Sequence, residues 1–317
     1  MVNQSEHYLV SVIMAIYNPS WEKCVFTLES VIAQKNIDFE LIVTDDGSSD
    51  NLFYKFEEYF KNTGFRNYKL IDHNENKGTV KNYYDGVKVA TGKYVKLISP
   101  GDALFSDDVL NEWSEYLAKS GRKWSFSDAV FYQVENGNKR VTKAPAFPRL
   151  IDCYIAKDFD RCRWNYIVLE DVALGAALLC EKDVFCIYLE KFIGKVRFAE
   201  DVAFVSMMYD NILPAYYSVN TIFYEYGTGV STGENKWLLL IRQDQKNAEN
   251  IIVSEKPGDE LQKKMTKALV NINSSEGFRK KILKNFQKGG IKKVLKHRFF
   301  PRMSSVDISN CGKWWTE

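Results

Sequence analysis

Four acidic stretches adjoin apolar runs in this 317-residue chain: Asp45-Asp46, the lone Asp102 of Ser99-Pro100-Gly101-Asp102, Glu170-Asp171 and Glu200-Asp201. Carboxylates so placed can take a proton from a hydroxyl, accept an N–H from a bound base, or ligate a hard cation. Nucleophilic or zinc chemistry is poorly supported. Only His7, His73 and His297 are available, and Cys24, Cys153, Cys162, Cys180, Cys186 and Cys311 include no C-x-x-C pair, so buried thiols are expected.

Positive charge is available for an anionic group. Gly78 precedes a helical pattern whose free N–H groups and positive dipole end favour phosphate, with Lys77, Lys81 and Asn82 on or beside its first turn. A solvated amphipathic helix explains the same lysines. Asp46 likewise has two readings: a loop whose Ser48, Ser49 or Asp50 caps the next helix, or a carboxylate facing a crevice at the carboxyl edge of a sheet.

The elements that must position these groups alternate. Tyr8 to Ile16, Phe39 to Thr44, Tyr68 to Ile71 and Lys93 to Ile98 read as strands, separated by helical patterns opening at Pro19-Ser20, Asn51 and Thr79. Strand and helix in alternation predict an α/β fold with a mostly parallel central sheet and helices on both faces. The expected organisation is a nucleotide-binding half over 1–105, an acceptor-binding half of the same domain over 106–235, and a helical, basic extension over 236–317.

The net charge of +2 conceals that extension's bias, for Arg279 to Arg302 holds ten Lys and Arg and no acidic residue. Interleaved Phe, Leu and Ile, with Trp314-Trp315 beyond, read as an interfacial surface for an anionic membrane or as helices packed on the domain. Nucleic acid is not expected, since no binding module accompanies the charge. No run approaches the roughly 18 apolar residues of a membrane span, and Met1 to Glu6 is unlike a signal peptide. A cytoplasmic protein, peripheral at most to the inner membrane face, is expected.

The stretches SVIMAIYN at 11–18, LIVTDDGSSD at 41–50, NENKGTVKNYYDGVKVATGKYV at 74–95, SPGD at 99–102 and FAEDVAFV at 198–205 resemble, in that order, family 2 glycosyltransferases. The resemblance implies the Rossmann-like GT-A fold and an inverting transferase acting on a nucleotide-sugar donor, here UDP-linked, and on a glycan or lipid-linked glycan acceptor. It puts Ala15, Tyr17 and Asp46 on the nucleotide, Ala15 standing where the family has Pro or Thr. Both ED pairs fit a general base by type; the family's order, in which the pair follows a stretch like GAALLCEKDVFCIYL at 175–189, selects Asp201, with Glu200 orienting it or meeting the acceptor. The family's D-x-D-D would fall on Ser99 to Asp102, so Asp102 is the acid left to hold Mn²⁺ or Mg²⁺. Tyr224 to Thr232 reads as a mobile loop over the substrates or as a plain turn. The rival expectations are a non-catalytic nucleotide-sugar-binding partner and a sugar nucleotidyltransferase.

Overall fold

The computed structural model describes residues 10–227, 235–274 and 301–316. Its first half winds strand and helix in turn: β1 (Val10–Ile16), α1 (Trp21–Ile32), β2 (Phe39–Asp45), α2 (Phe53–Thr63), β3 (Tyr68–Asp72), α3 (Thr79–Val89) and β4 (Tyr94–Ile98). Burial on both faces makes β1 and β2 near-continuous apolar runs, and their side chains divide by the two-residue strand period. Ile13 and Ile42 join one core cluster, with Val80, Tyr83 and Val87 of α3; Val12, Met14, Leu41 and Val43 join the other, with Phe56 and Phe60 of α2. The helices therefore cover opposite faces of the sheet.

β1 pairs in parallel with β2 on one side and β4 on the other, and β3 extends the sheet beyond β2. The winding direction thus reverses between β1 and β4. In an open α/β sheet the ligand crevice lies at the carboxyl ends of the strands at such a reversal, here after Ile16 and Ile98.

The second half joins the same sheet. After β5 (Ala103–Leu104) and α4 (Val109–Ser120) come the long β6 (Trp124–Glu135), β7 (Asn138–Val141), α5 (Asp152–Ile155) and α6 (Phe159–Val168). A short 3-10 turn at Gly175–Ala177 leads into β8 (Leu178–Glu181), α7 (Lys182–Glu190), α8 (Val202–Tyr209) and β9 (Ala215–Glu225). The strand order is β3-β2-β1-β4-β8-β6-β9-β5, with β7 on β6. β8 enters antiparallel to both β4 and β6, so the mostly parallel sheet that was expected is parallel through its first half and mixed in its second.

α9 (Asn235–Ser254) and α10 (Glu260–Asn273) follow, the latter opened by a capping box between Asp259 and Gln262. Their apolar residues Ala248, Ile252, Met265, Leu269 and Ile272 join the α3-side core. Residues 301–316 are not helical. They return to the sheet, with bridges from Ser305 to Val130 and from Met303 to Pro145. Trp315 is 7% exposed and stacks on Phe223 at 4.0 Å and 6°, while the Trp314 Nε1–H donates to Leu104 O at 3.0 Å. The expectation that this pair lies at headgroup depth is therefore corrected: Trp315 is core. The basic helical patterns of 277–297 lie outside the described residues. No helix among the described residues is long and apolar enough to cross a membrane.

Candidate active site

The loops after β1 and β2 are laced together. Asp46 N–H donates to Ile16 O at 2.9 Å, Asn18 N–H to Ser48 Oγ at 2.7 Å, and Ser49 N–H to Asn18 Oδ1 at 2.9 Å. This leaves Tyr17 48% exposed at the crevice and Ala15 partly buried under it. Asp45 is wholly buried; its Oδ1 accepts from Ser48 N–H and Oγ–H at 3.0 and 2.6 Å, and burial pushes its carboxyl up from the ordinary range.

Asp46 is buried too, and each of its oxygens accepts one backbone N–H, from Lys77 at 2.7 Å and Gly78 at 2.8 Å. The Val80 N–H is taken by Arg197 O at 3.1 Å. The N–H groups of Lys77, Gly78 and Val80 at the entry to α3 are thus used internally. Gly78 is obligatory here: at φ +90° a Cβ would run into Arg197. Lys77 Nζ lies 3.5 Å from Glu75, Lys81 forms an ion pair with Asp85 one helical turn on, and both lysines keep partial exposure. Asn82 is buried and donates to Thr44 O at 3.0 Å, pinning α3 to β2 rather than facing the crevice.

The Glu200-Asp201 pair opens α8 beside this junction. Glu200 Oε2 accepts from Thr79 Oγ–H at 3.1 Å, which ties the pair to the first turn of α3. A Cβ on Gly175 would stand 3.9 Å from Asp201 Cβ, so the 3-10 turn before β8 backs the same carboxylate. Burial, then the charge of Asp201, pushes Glu200 up to about 7, and burial raises Asp201 as well. Glu200, so raised, can hold and release a proton near neutrality beside a second carboxyl that burial also raises. The segment before them is held from α9, where Asp244 Oδ2 accepts the N–H groups of Arg197 and Phe198 at 3.0 and 2.6 Å. Sequence reasoning missed Asp244, which lies in a region with no recognised motif.

Asp171, the other carboxylate open to the base role by type, is accounted for structurally. It is 7% exposed and accepts the N–H groups of Arg149 and Leu150 at 2.9 and 2.8 Å.

The turn after β4 departs furthest from expectation. Asp102 is 6% exposed, its Oδ1 accepts Glu225 N–H at 3.2 Å, and burial pushes its carboxyl up to about 7. Lys96 is wholly buried nearby, donating to Leu97 O and Ala176 O at 2.5 and 2.7 Å, and burial pulls its ammonium down to about 7. At Gly101, with φ +100°, a Cβ would strike Oε2 of Glu225 from β9, so that carboxylate fills the space a residue-101 side chain would take. Glu225 is in turn held by Lys23 Nζ at 2.8 and 2.7 Å. No group of three His, Cys, Asp or Glu that could hold a metal ion occurs among the described residues. This donor set does not fit Mn²⁺ or Mg²⁺: the Glu225 carboxylate is itself buried and already paired with the Lys23 ammonium, and Asp102 is buried beside it. The part of the Tyr224–Thr232 loop beyond Gly227 lies outside the described residues.

Comparison with known proteins accords with this geometry. Over 108 residues the chain is 35% identical to poly-beta-1,6-N-acetyl-D-glucosamine synthase of Staphylococcus epidermidis, covering 33% of this chain and 25% of that protein. It is 28% identical over 138 residues to the Escherichia coli UDP-Glc:alpha-D-GlcNAc-diphosphoundecaprenol beta-1,3-glucosyltransferase WfgD, covering 44% of this chain and 51% of that one. The match therefore spans a quarter to a half of these relatives' lengths. The fold is similar to that of Staphylococcus aureus TarS 1-349 solved with UDP-GlcNAc (TM-score 0.56, 14% identity, 88% of this chain and 79% of that one). It is also similar to the mannosyltransferase PcManGT of Pyrobaculum calidifontis solved with GDP-Man and Mn²⁺ (TM-score 0.59, 13% identity, 92% and 78%). Residues 11–173, which carry the laced loops, the Asp46 clamp and the SPGD turn, match the family model for Glycosyl transferase family 2, and the chain belongs to that family.

Proposed function

We propose that this chain transfers one sugar, with inversion, from a UDP-linked donor to a hydroxyl of a growing surface glycan, with Asp201 as general base. The observation that carries the reading is the hydrogen bond between Glu200 and Thr79, which seats the carboxylate pair of the second half on the helix beginning beside the nucleotide-side loops. Ala15, Tyr17 and Asp46 border the nucleoside, Asp46 by shaping the loop at 75–78 around it.

The acceptor oxygen attacks the anomeric carbon as its proton passes to an Asp201 oxygen. The bond from that carbon to the β-phosphate oxygen breaks, and the nucleoside diphosphate leaves with the electron pair. An aspartate near its reference pKa of about 3.9 is far too weak to deprotonate a sugar alcohol outright, so proton transfer accompanies attack. Raising Asp201 by burial makes it a better base at that moment. Glu200, partly protonated near neutrality, orients its neighbour or donates to an acceptor hydroxyl.

The acceptor is a glycan, lipid-linked at the inner membrane face, where a cytoplasmic enzyme with a basic segment at 279–302 would meet it. The name of WfgD specifies a diphosphoundecaprenol acceptor for that protein, which supports this class. Donor hydrolysis and transfer measured across a panel of UDP-, GDP- and dTDP-sugars test the reading. Turnover of one UDP-sugar with an inverted anomeric product is expected. Donor binding with no turnover on any acceptor would instead favour the non-catalytic partner.

A further inference from the structure

A nucleotide donor brings two phosphates, and several cations stand near the carboxyl edge to meet them. Lys77 lies 3.5 Å from Glu75, Lys81 is paired with Asp85, and Lys23 closes on Glu225 at 2.7 Å. Each of these ammoniums is already matched by a carboxylate. Arg197, in the segment before Glu200, differs from them. It is exposed, and its guanidinium has no carboxylate within ion-pair distance among the described residues.

Contacts along the whole residue fix where that head stands. The Arg197 N–H donates to Asp244 Oδ2 at 3.0 Å and its carbonyl accepts the Val80 N–H at 3.1 Å, so the main chain is held between α9 and the first turn of α3. The stem then crosses Gly78, where a Cβ would come within 2.2 Å of Arg197 Cγ; glycine at 78 is what lets the stem lie across the entry to α3. At the far end one terminal nitrogen, Nη2, donates to Asn76 O at 3.0 Å and to Asn76 Oδ1 at 2.8 Å. The guanidinium also lies over the Phe198 ring, 5.1 Å from its centroid, a contact that uses none of the in-plane N–H groups. A guanidinium carries five N–H donors in a planar fork. Two are taken by Asn76, and Nε and Nη1 have no protein partner among the described residues.

These attachments set the guanidinium between the two sides of the site. Asn76 belongs to the loop that Asp46 grips at Lys77 and Gly78, the nucleoside side in the reading above, and Glu200 follows Arg197 by three residues. A nucleotide sugar laid across this interval has its nucleoside at the first, its anomeric carbon at the second and its two phosphates in between. A planar guanidinium there can give two parallel N–H bonds to phosphate oxygens. We propose that Arg197, braced by Asn76, binds the diphosphate of the donor. This rests on the nucleotide-donor reading above. Asn76 is then a positioning residue that holds the guanidinium in place.

The test is calorimetric titration of the full-length protein with uridine, UMP and UDP, and with guanosine, GMP and GDP, each with and without Mn²⁺. Arg197→Met keeps the stem over Gly78 and removes the charge. It should weaken the preferred diphosphate by about tenfold or more, leave the nucleoside within about twofold, and flatten the fall of diphosphate affinity with added salt. Arg197→Lys should recover part of the loss, because a single ammonium replaces a two-pronged fork. Asn76→Ala should weaken the diphosphate by about threefold, again without touching the nucleoside. Thermal melts check that each variant is folded; should Arg197→Met prove unfolded, Arg197→Gln and Asn76→Ala carry the same comparison. Unchanged diphosphate affinity, or equal loss for nucleoside and diphosphate in a folded variant, would overturn the proposal and leave the donor reading standing. A wild type that binds neither UDP nor GDP in either condition would overturn both.

Discussion

The carboxylate of Asp46 grips two consecutive backbone N–H groups, those of Lys77 and Gly78, with one oxygen each. A side chain at the end of β2 thereby fixes the entry to α3, 31 and 32 residues further along the chain. Asp46→Asn keeps one acceptor and turns an NH₂ against the other N–H. Urea unfolding should show a loss of about 2 kcal/mol, with weaker UDP binding in parallel. Lost nucleotide affinity at full stability would mark Asp46 as a base ligand alone.

Asp201→Asn and Asp171→Asn are expected to fail differently. The first should lower transfer by about 10² to 10⁴ while leaving the unfolding midpoint and UDP affinity nearly unchanged. The second strips a charged acceptor from Arg149 and Leu150 N–H and should cost about 1 to 3 kcal/mol of stability. Asp201→Asn with more than about a tenth of wild-type transfer would move the base elsewhere.

The pH dependence should carry a signature of opposed signs. Folding raises Glu200 from 4.5 and Asp102 from 3.8, each to about 7. The folded state then holds more protons than the unfolded one below pH 7, so these groups erode stability as pH rises toward that value. Lys96 is lowered from 10.5 to about 7, so the unfolded state holds more protons above pH 7 and stability recovers as pH rises further. Denaturation midpoints should therefore show a shallow minimum near pH 7. Glu200→Gln should flatten its acid side and Lys96→Met its alkaline side.

Most of the framework is legible in the sequence because β1, α1, β2, α3 and β4 each carry their own period, and their order alone implies a reversal between β1 and β4. The ED pair of α8 is legible through its motif, with Thr79 an unforeseen partner. Glu225 is not. It reaches Gly101 only because β9 lies antiparallel on β5, pairing Ala103 with Phe223 and Leu104 with Ile222, and no local spacing encodes that register. The fate of the Gly78 and Val80 N–H groups was hidden likewise, since their acceptors come from the loop after β2 and from the segment before Glu200.

Asp244 ties α9 to the proposed catalytic pair by holding Arg197 and Phe198 just ahead of Glu200. Asp244→Ala should lower kcat more than donor affinity, because Asp244 holds the backbone just ahead of Glu200 directly and reaches the loop at 75–78 only through Arg197. Equal loss of kcat and of donor affinity would point to general unfolding instead, and circular dichroism melts would register it.

Removing the Trp315 ring takes away its stack on Phe223 and its edge contact with Tyr132 at 5.2 Å. Trp315→Ala should cost about 3 kcal/mol in urea unfolding. Cosedimentation with anionic vesicles should be unchanged by it, as the indole is inside the protein.

The placement of Trp315 also bears on the order in which the chain can fold as it is made. Its cluster mates Phe26, Phe105, Val130 and Phe223 are spread from the first helix to the last strand, and the ring that joins them is at position 315. Until Trp315 has been made, this cluster lacks the ring that stacks on Phe223 and meets the edge of Tyr132. A chain halted before that position would hold the segments of β1 to β4 but not the ring that closes the cluster between α1, β6 and β9.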